Sequence, residues 1–265
     1  MPIVRAPYRQ IPERLYHYTT GSAALSIISG GGDDKICFWL KDAKSKNDAT
    51  ELRLGVALTE RLKEYMHEHD NRASLINEVK INPELIYVNS FTENETVSEY
   101  MLNEYGNFRL ELDFRNCLCK NDIHECTYFE EKDIDELAAC YCATFDHYWP
   151  QFSGEQRDVS ALMEYLVEGM SAIRSIPLLK HLGEWGRENE WRHVLHRQPI
   201  DDRIFTLKDG SPRMKVFYPA DALVGVSCFI DSKNKSEFLP YYYKITNWIR
   251  RHKWKTEVKI PVSCP

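Results

Sequence analysis

Four short segments of the sequence combine residue types and spacings that suit chemistry. Leu15-Tyr16-His17-Tyr18-Thr19-Thr20 reads as a strand that ends in a His and a Thr, two hydrogen-bonding side chains at a sheet edge. By itself it reads more simply as a core tyrosine strand with an incidental histidine. In Lys46-Asn47-Asp48-Ala49-Thr50-Glu51, an Asn and an Asp precede a helix, the pattern of an N-cap. In Ser90-Phe91-Thr92-Glu93 the two hydroxyls share one side of a strand end, where they could hold a ribose, orient a carboxylate or merely end the strand. In Trp185-Gly186-Arg187-Glu188-Asn189-Glu190-Trp191-Arg192, two carboxylates are spaced i, i+2 at a loop-to-strand junction. One of such a pair can bind a ribose hydroxyl and stabilise a developing oxocarbenium ion, while the other steers or deprotonates a nucleophile. The plainer expectation for the same residues is a surface Glu–Arg network of little energetic weight.

Hydrophobic periodicity supplies the elements that would position these residues. Strands are expected at Leu15–Thr19, Ile36–Leu40, Leu85–Thr92, Asn107–Phe114, Glu190–His196, Lys215–Tyr218 and Leu223–Ile230, with a last one alternating through Val258, Ile260 and Val262. If Glu190 opens its strand, Glu190, Arg192 and Val194 share one face. Trp191, His193 and Leu195 share the other, which reads as core. Helices are expected after Thr20, from Thr50 to about His67, over Val97–Tyr105, from Asp133 to about His147, over Asp158–Arg174 and over Lys235–Arg251. Strands and helices mix without a βαβ rhythm, which predicts an α+β fold. No repeat, low-complexity tract or Pro/Gly/Ser linker divides the chain, so residues 1–265 are expected to form one domain.

Composition narrows the classes. The chain has 265 residues, 43% hydrophobic and 28% charged, as an ordinary globular protein does. The net charge of −6 argues against a general nucleic-acid coat. The longest apolar run, Leu223 to Ile230, is far short of the ~20 residues that span a bilayer, and Met1 to Gln10 has no apolar signal region, so a cytoplasmic protein with no membrane partner is expected. P-loop, G-x-G-x-x-G, G-x-S-x-G and H-E-x-x-H motifs are absent, which lowers P-loop, Rossmann, α/β-hydrolase and zincin chemistry. Eight cysteines, with Cys117, Cys119, His124, Cys126, Cys140 and Cys142 close in sequence, invite a zinc reading, but the C-x-C spacing is poor for zinc and buried thiols are expected instead. The stretch Trp248 to Lys255 interleaves aromatic and basic residues that could meet a nucleic acid, although helix core and a solvated turn explain it more simply.

In this order the segments resemble a large bacterial family designated a domain of unknown function. Its members carry L-Y-H-Y-T, N-D-x-x-E, S-F-[ST]-E before a short helix and a Gly, and K…W…E-x-E-W-R. Here these are Leu15 to Thr19, Asn47 to Glu51, Ser90 to Glu93 and Lys180 to Arg192, with Glu99 to Phe114 and Gly106 matching between them. The resemblance spans roughly Leu15 to Val262. That family is similar in turn to a distant branch of the ADP-ribosyltransferase superfamily. The resemblance implies a split mixed or antiparallel sheet with flanking helices, and NAD as the nucleotide. It implies that His17, Tyr18, Thr19, Asn47, Ser90, Thr92 and Glu190 hold NAD and that Glu190, Glu188 and Ser90 carry catalysis. Glu190 would bond the nicotinamide ribose, and the aromatic that stacks on nicotinamide is left among Tyr18, Phe38 and Trp39. No metal is implied. The expected activity is transfer of ADP-ribose to a protein or nucleic-acid acceptor, in a toxin or phage-defence effector with a possible antitoxin or immunity partner. The alternative is a non-catalytic module that binds a nucleotide or a partner protein on the same scaffold.

Overall fold

A computed structural model describes residues 10–43, 86–139, 179–181, 186–196, 202–230 and 235–261, with positions 54, 55, 57, 58, 60–62, 64, 143 and 183. The expected helix over Asp158–Arg174, the whole of Lys46–Glu51 and the cysteines at 140, 142 and 264 lie outside these residues. The chain forms two compact units, both discontinuous in sequence: Met1–Ala6, Ala43–Ile86 and Cys126–Arg187 in one, and Pro7–Asp42, Tyr87–Glu125 and Glu188–Pro265 in the other. Because each unit takes its residues from separate stretches of the chain, no single linker is there for composition to reveal.

The second unit is built on a mixed sheet. Its strands are β1 (Leu15–Thr19), β2 (Lys35–Asp42), β3 (Ile86–Thr92), β4 (Phe108–Leu112), β5 (Ile123–Glu125), β8 (Glu190–His196), β9 (Ile204–Thr206), β10 (Pro212–Pro219), β11 (Leu223–Cys228) and β12 (Glu257–Lys259). The first unit holds β6 (Thr127–Phe129) and β7 (Leu179–His181), a separate parallel pair. The main order is β12-β11-β4-β1-β3-β2-β10-β9, with β8 pairing β3 and β5 off that path. Only β11 and β12 run parallel among the registered pairs of this sheet. The expected strands all form, most of them within two residues of their predicted ends. The short strands β5, β6, β7 and β9 escape periodicity because three residues carry no period.

Alternation sorts the sheet's two faces. Leu15, Phe38, Leu40, Phe91, Leu110, Leu112, Met214, Val216 and Val226 lie in the main core. Two helices close that face, α1 (Gly21–Ser29) through Ala24, Ile27 and Ile28, and α3 (Lys235–Arg251) through Ile245 and Ile249. Thr20 caps α1 as its sequence predicts, accepting from the Ala23 N–H at 3.3 Å. Phe38, Phe91, Phe114 and Tyr218 form a ring of edge-on contacts with centroids 4.9–5.9 Å apart, each pair worth about 1 kcal/mol beyond its buried area. On the opposite face a short helix, α2 (Glu99–Tyr105), packs Met101 and Leu102 against Tyr16, Tyr18 and Phe229. Gly106 ends α2 at φ +117°, and a Cβ there would lie 2.6 Å from the Thr19 carbonyl, so only glycine lets the chain turn into β4 this close to β1.

β3 is shared among three neighbours. Its registered partners are Tyr16 of β1 at Thr92, and Lys41 and Asp42 of β2 at Val88 and Tyr87, so β1 holds one end and β2 the other. Between these ends the His17 ring takes the place of a ladder bond, with Nδ1 2.9 Å from the Ser90 carbonyl.

In the first unit Leu54, Leu58 and Leu62 are buried at helical spacing, and Arg61 pairs with Asp135 at 2.9 Å. The predicted stripe of Leu52, Val56, Thr59, Leu62 and Met66 meets this face at Leu62, its other members lying outside the described residues.

His193 is 1% exposed, and its Nδ1 shares a 2.6 Å hydrogen bond with the Tyr218 hydroxyl. Burial, with help from His124 and Arg203, holds its pKa down to about 4. The unfolded chain takes up this proton near pH 6.5, so on acidification it binds more protons than the native state. Stability is therefore expected to be full above about pH 6.5 and to fall by up to ~3 kcal/mol as pH drops toward 4. Chemical denaturation at stepped pH values checks this. His193→Gln is expected to flatten the slope only in part, because burial also depresses His17 and His124. An unchanged slope would place the proton uptake elsewhere.

Candidate functional site

The Ser90–Glu93 and Glu188–Trp191 segments, read separately in the sequence, are bonded to each other in the fold. The Thr92 hydroxyl donates to the Glu188 carbonyl, and the Glu93 N–H donates to the Asn189 carbonyl at 3.2 Å. The Glu93 carboxylate accepts from the Trp191 indole at 3.2 Å, and the Asn189 amide donates to the Asn94 side chain at 2.7 Å. Asn189 sits at φ +43°, a left-handed conformation that asparagine tolerates better than most residues. It makes the sharp entry into β8, and the carboxylates on either side of it turn inward.

Both carboxylates are buried, Glu188 to 3% exposure and Glu190 to 4%. An uncompensated carboxylate would not stay charged at that depth, and the two are satisfied differently. Glu190 faces Arg192 on the same strand face, with Nε to Oε1 at 2.7 Å and Nη2 to Oε2 at 3.1 Å, a two-pronged pair. Arg192 is itself 1% exposed. The expected surface Glu–Arg network is thus a buried one, both side chains being almost wholly out of water. Glu188 accepts hydroxyls instead, from Tyr105 at 2.6 Å and from Tyr100 at 3.3 Å. Burial and the adjoining Glu188 raise the Tyr105 pKa far above its usual value, which keeps that hydroxyl a donor. Both tyrosines remain more than a third exposed while their hydroxyls reach the buried Glu188.

Trp191 joins the main core and His193 bonds Tyr218, as the sequence places that face of β8. Thr92 is buried opposite Tyr16, and Ser90 is half-buried on the same face of β3. The register puts Tyr18 on this face too. His17 and Thr19 alternate to the other face, where His17 lies edge-on to Phe38 and Phe91 at 5.1 and 5.9 Å. Burial lowers the His17 pKa, so the ring is neutral at pH 7. Of the candidates for a stacking aromatic, Phe38 is core, Tyr18 packs beneath α2, and Trp39 is 48% exposed. Asn47 lies outside the described residues.

Tyr100 and Tyr105 are missing from the sequence reading. Their signal was two tyrosines in a seven-residue helix just after the Ser90–Glu93 motif. The expected thiol burial is observed at Cys37, Cys117, Cys126 and Cys228. The Trp248–Lys255 stretch is tied down internally, with Trp254 donating to the Asp33 carbonyl at 2.7 Å, His252 3.3 Å from the Asp33 carboxylate and the Trp248 and His252 rings in tilted contact at 4.3 Å. No described helix is long and apolar enough to cross a membrane. No family model, no curated protein and no solved structure matches the chain.

Removing one partner of a buried ion pair leaves a charge without compensation. Arg192→Met is expected to cost about 3–5 kcal/mol in urea denaturation. Adding Glu190→Gln in the same chain is expected to restore at least half of that loss. Equal losses in the single and double variants would mean that Arg192 stabilises the fold by packing alone.

Proposed function

We propose that the chain is an NAD-dependent ADP-ribosyltransferase of the toxin or phage-defence kind, with NAD as substrate and a protein or nucleic acid as acceptor. The observation that carries this reading is the Glu188-Asn189-Glu190 turn, which holds two carboxylates out of water beside Thr92 and two tyrosine hydroxyls. Cleaving the bond to nicotinamide develops positive charge on the ribose, and a fixed carboxylate in a dry setting stabilises that charge more than water does. Nicotinamide needs no general acid to leave. The two carboxylates take different parts. Glu190 is already neutralised by Arg192 and anchors the turn. Glu188 accepts the Tyr105 and Tyr100 hydroxyls, and a ribose hydroxyl can take the place of the long bond from Tyr100. Glu188 is therefore assigned to the reacting ribose, a shift from the position that motif resemblance alone gives to Glu190.

The neutralised Glu190 also favours a second role, a module that binds a nucleotide or partner without turning NAD over. Nicotinamide release from NAD by the purified protein, with cell extract as acceptor source, separates the two. Glu188→Gln is expected to lower release by ~100-fold or more with the fold intact. Glu190→Gln is expected to lower it while also lowering the unfolding midpoint. No release by the native chain, with a partner protein that co-purifies, would establish the binding module instead.

A further inference from the structure

The far end of the sheet displays a surface unlike the rest of this acidic chain. In β2 the residues Lys35, Cys37, Trp39 and Lys41 alternate with the main-core positions, Lys35, Trp39 and Lys41 exposed and Cys37 buried between them. In the registered partner β10 they face Pro219, Phe217, Lys215 and Arg213, and β9 adds Phe205 opposite Arg213. Among these nine residues four are basic and none is acidic, against a net charge of −6 for the whole protein. The rings are presented to solvent, Trp39 at 48% and Phe217 at 46% exposure. They are also ordered. Trp39 meets Phe205 edge-on at 5.0 Å, and the Lys215 ammonium lies 5.2 Å from the centre of the Phe205 ring. Arg213 is braced by its bond to the Pro212 carbonyl at 2.7 Å. Asp209, in the β9–β10 turn, is occupied by the Ser211 N–H at 2.9 Å.

From this face we infer a binding site for single-stranded nucleic acid. Exposed apolar rings on a monomer's surface mark a contact site, and rings set among cations select a partner that is both flat and anionic. Bases stack on Trp39 and Phe217, diagonal neighbours roughly 7–8 Å apart across adjacent strands, while Lys41, Arg213 and Lys215 meet phosphates. A duplex buries its base faces and offers nothing to stack. The nine residues include no hydroxyl, amide or carboxylate to grip a 2′-hydroxyl, so RNA and DNA strands are held alike. The site does not rest on NAD turnover. Where ADP-ribosyl transfer holds, it supplies the acceptor class.

Fluorescence anisotropy of the full chain with labelled oligouridylate, oligo-dT and a duplex of equal length tests the site without NAD. Both single strands are expected to bind within tenfold of each other and at least tenfold tighter than the duplex. The log–log salt slope is expected near −2, from about three phosphate contacts. Trp39→Ala and Phe217→Ala are each expected to weaken binding roughly 5- to 100-fold, with the folded state retained in circular dichroism because both side chains are about half exposed. Lys41→Gln with Lys215→Gln is expected to bring the slope near −0.7. Binding that survives Trp39→Ala unaltered, a duplex bound as tightly as a single strand, or no binding at low salt would overturn the inference.

Discussion

Holding two carboxylates inside one turn is the demand that organises the second unit. Each must find donors without water, and the chain supplies them from different places. Glu190 finds Arg192 two residues along its own strand. Glu188 finds tyrosine hydroxyls on α2, a helix whose position depends on Gly106 letting the chain pass close to Thr19. The turn itself is fixed from β3, through the Thr92 hydroxyl and the Glu93 backbone and carboxylate. Loss of any of these supports would expose or strand a buried charge, a larger penalty than losing one neutral hydrogen bond.

The sheet around the turn is laid out to keep its middle strand under several constraints at once. β3 meets β1 at one end and β2 at the other, with His17 bridging to Ser90 between them. The main face of β3 carries Phe91 into the aromatic ring of the core, while the other face carries Ser90 and Thr92 toward the turn. One strand therefore couples core packing to the placement of both carboxylates.

Much of this was legible in the sequence, and the reasons are local. Alternation in Phe108–Leu112 and in Glu190–His196 set strand positions and core faces, since a period of two survives any packing partner. Thr20 announced the start of α1 by its capping oxygen. What sequence could not show was partnership. Glu190 and Arg192 looked like a surface pair because nothing local says that their face of β8 is covered. His17 looked like part of the Ser90–Thr92 site because strand order, not spacing, decides which face meets which. Tyr100 and Tyr105 became visible only once α2 was placed beside the turn. The two-unit division left no mark either, since the units exchange chain through strand ends rather than through a linker.

The central claim is that Glu188, screened by Tyr100 and Tyr105, receives the nicotinamide ribose of NAD. The most direct test is a crystal structure of the Glu188→Gln protein grown with NAD. The account predicts nicotinamide-ribose hydroxyls within hydrogen-bond reach of the residue-188 side chain, Tyr100 displaced, and the Glu190–Arg192 pair intact. Density for NAD away from this turn, or a ribose bonded to Glu190 with Arg192 displaced, would contradict it.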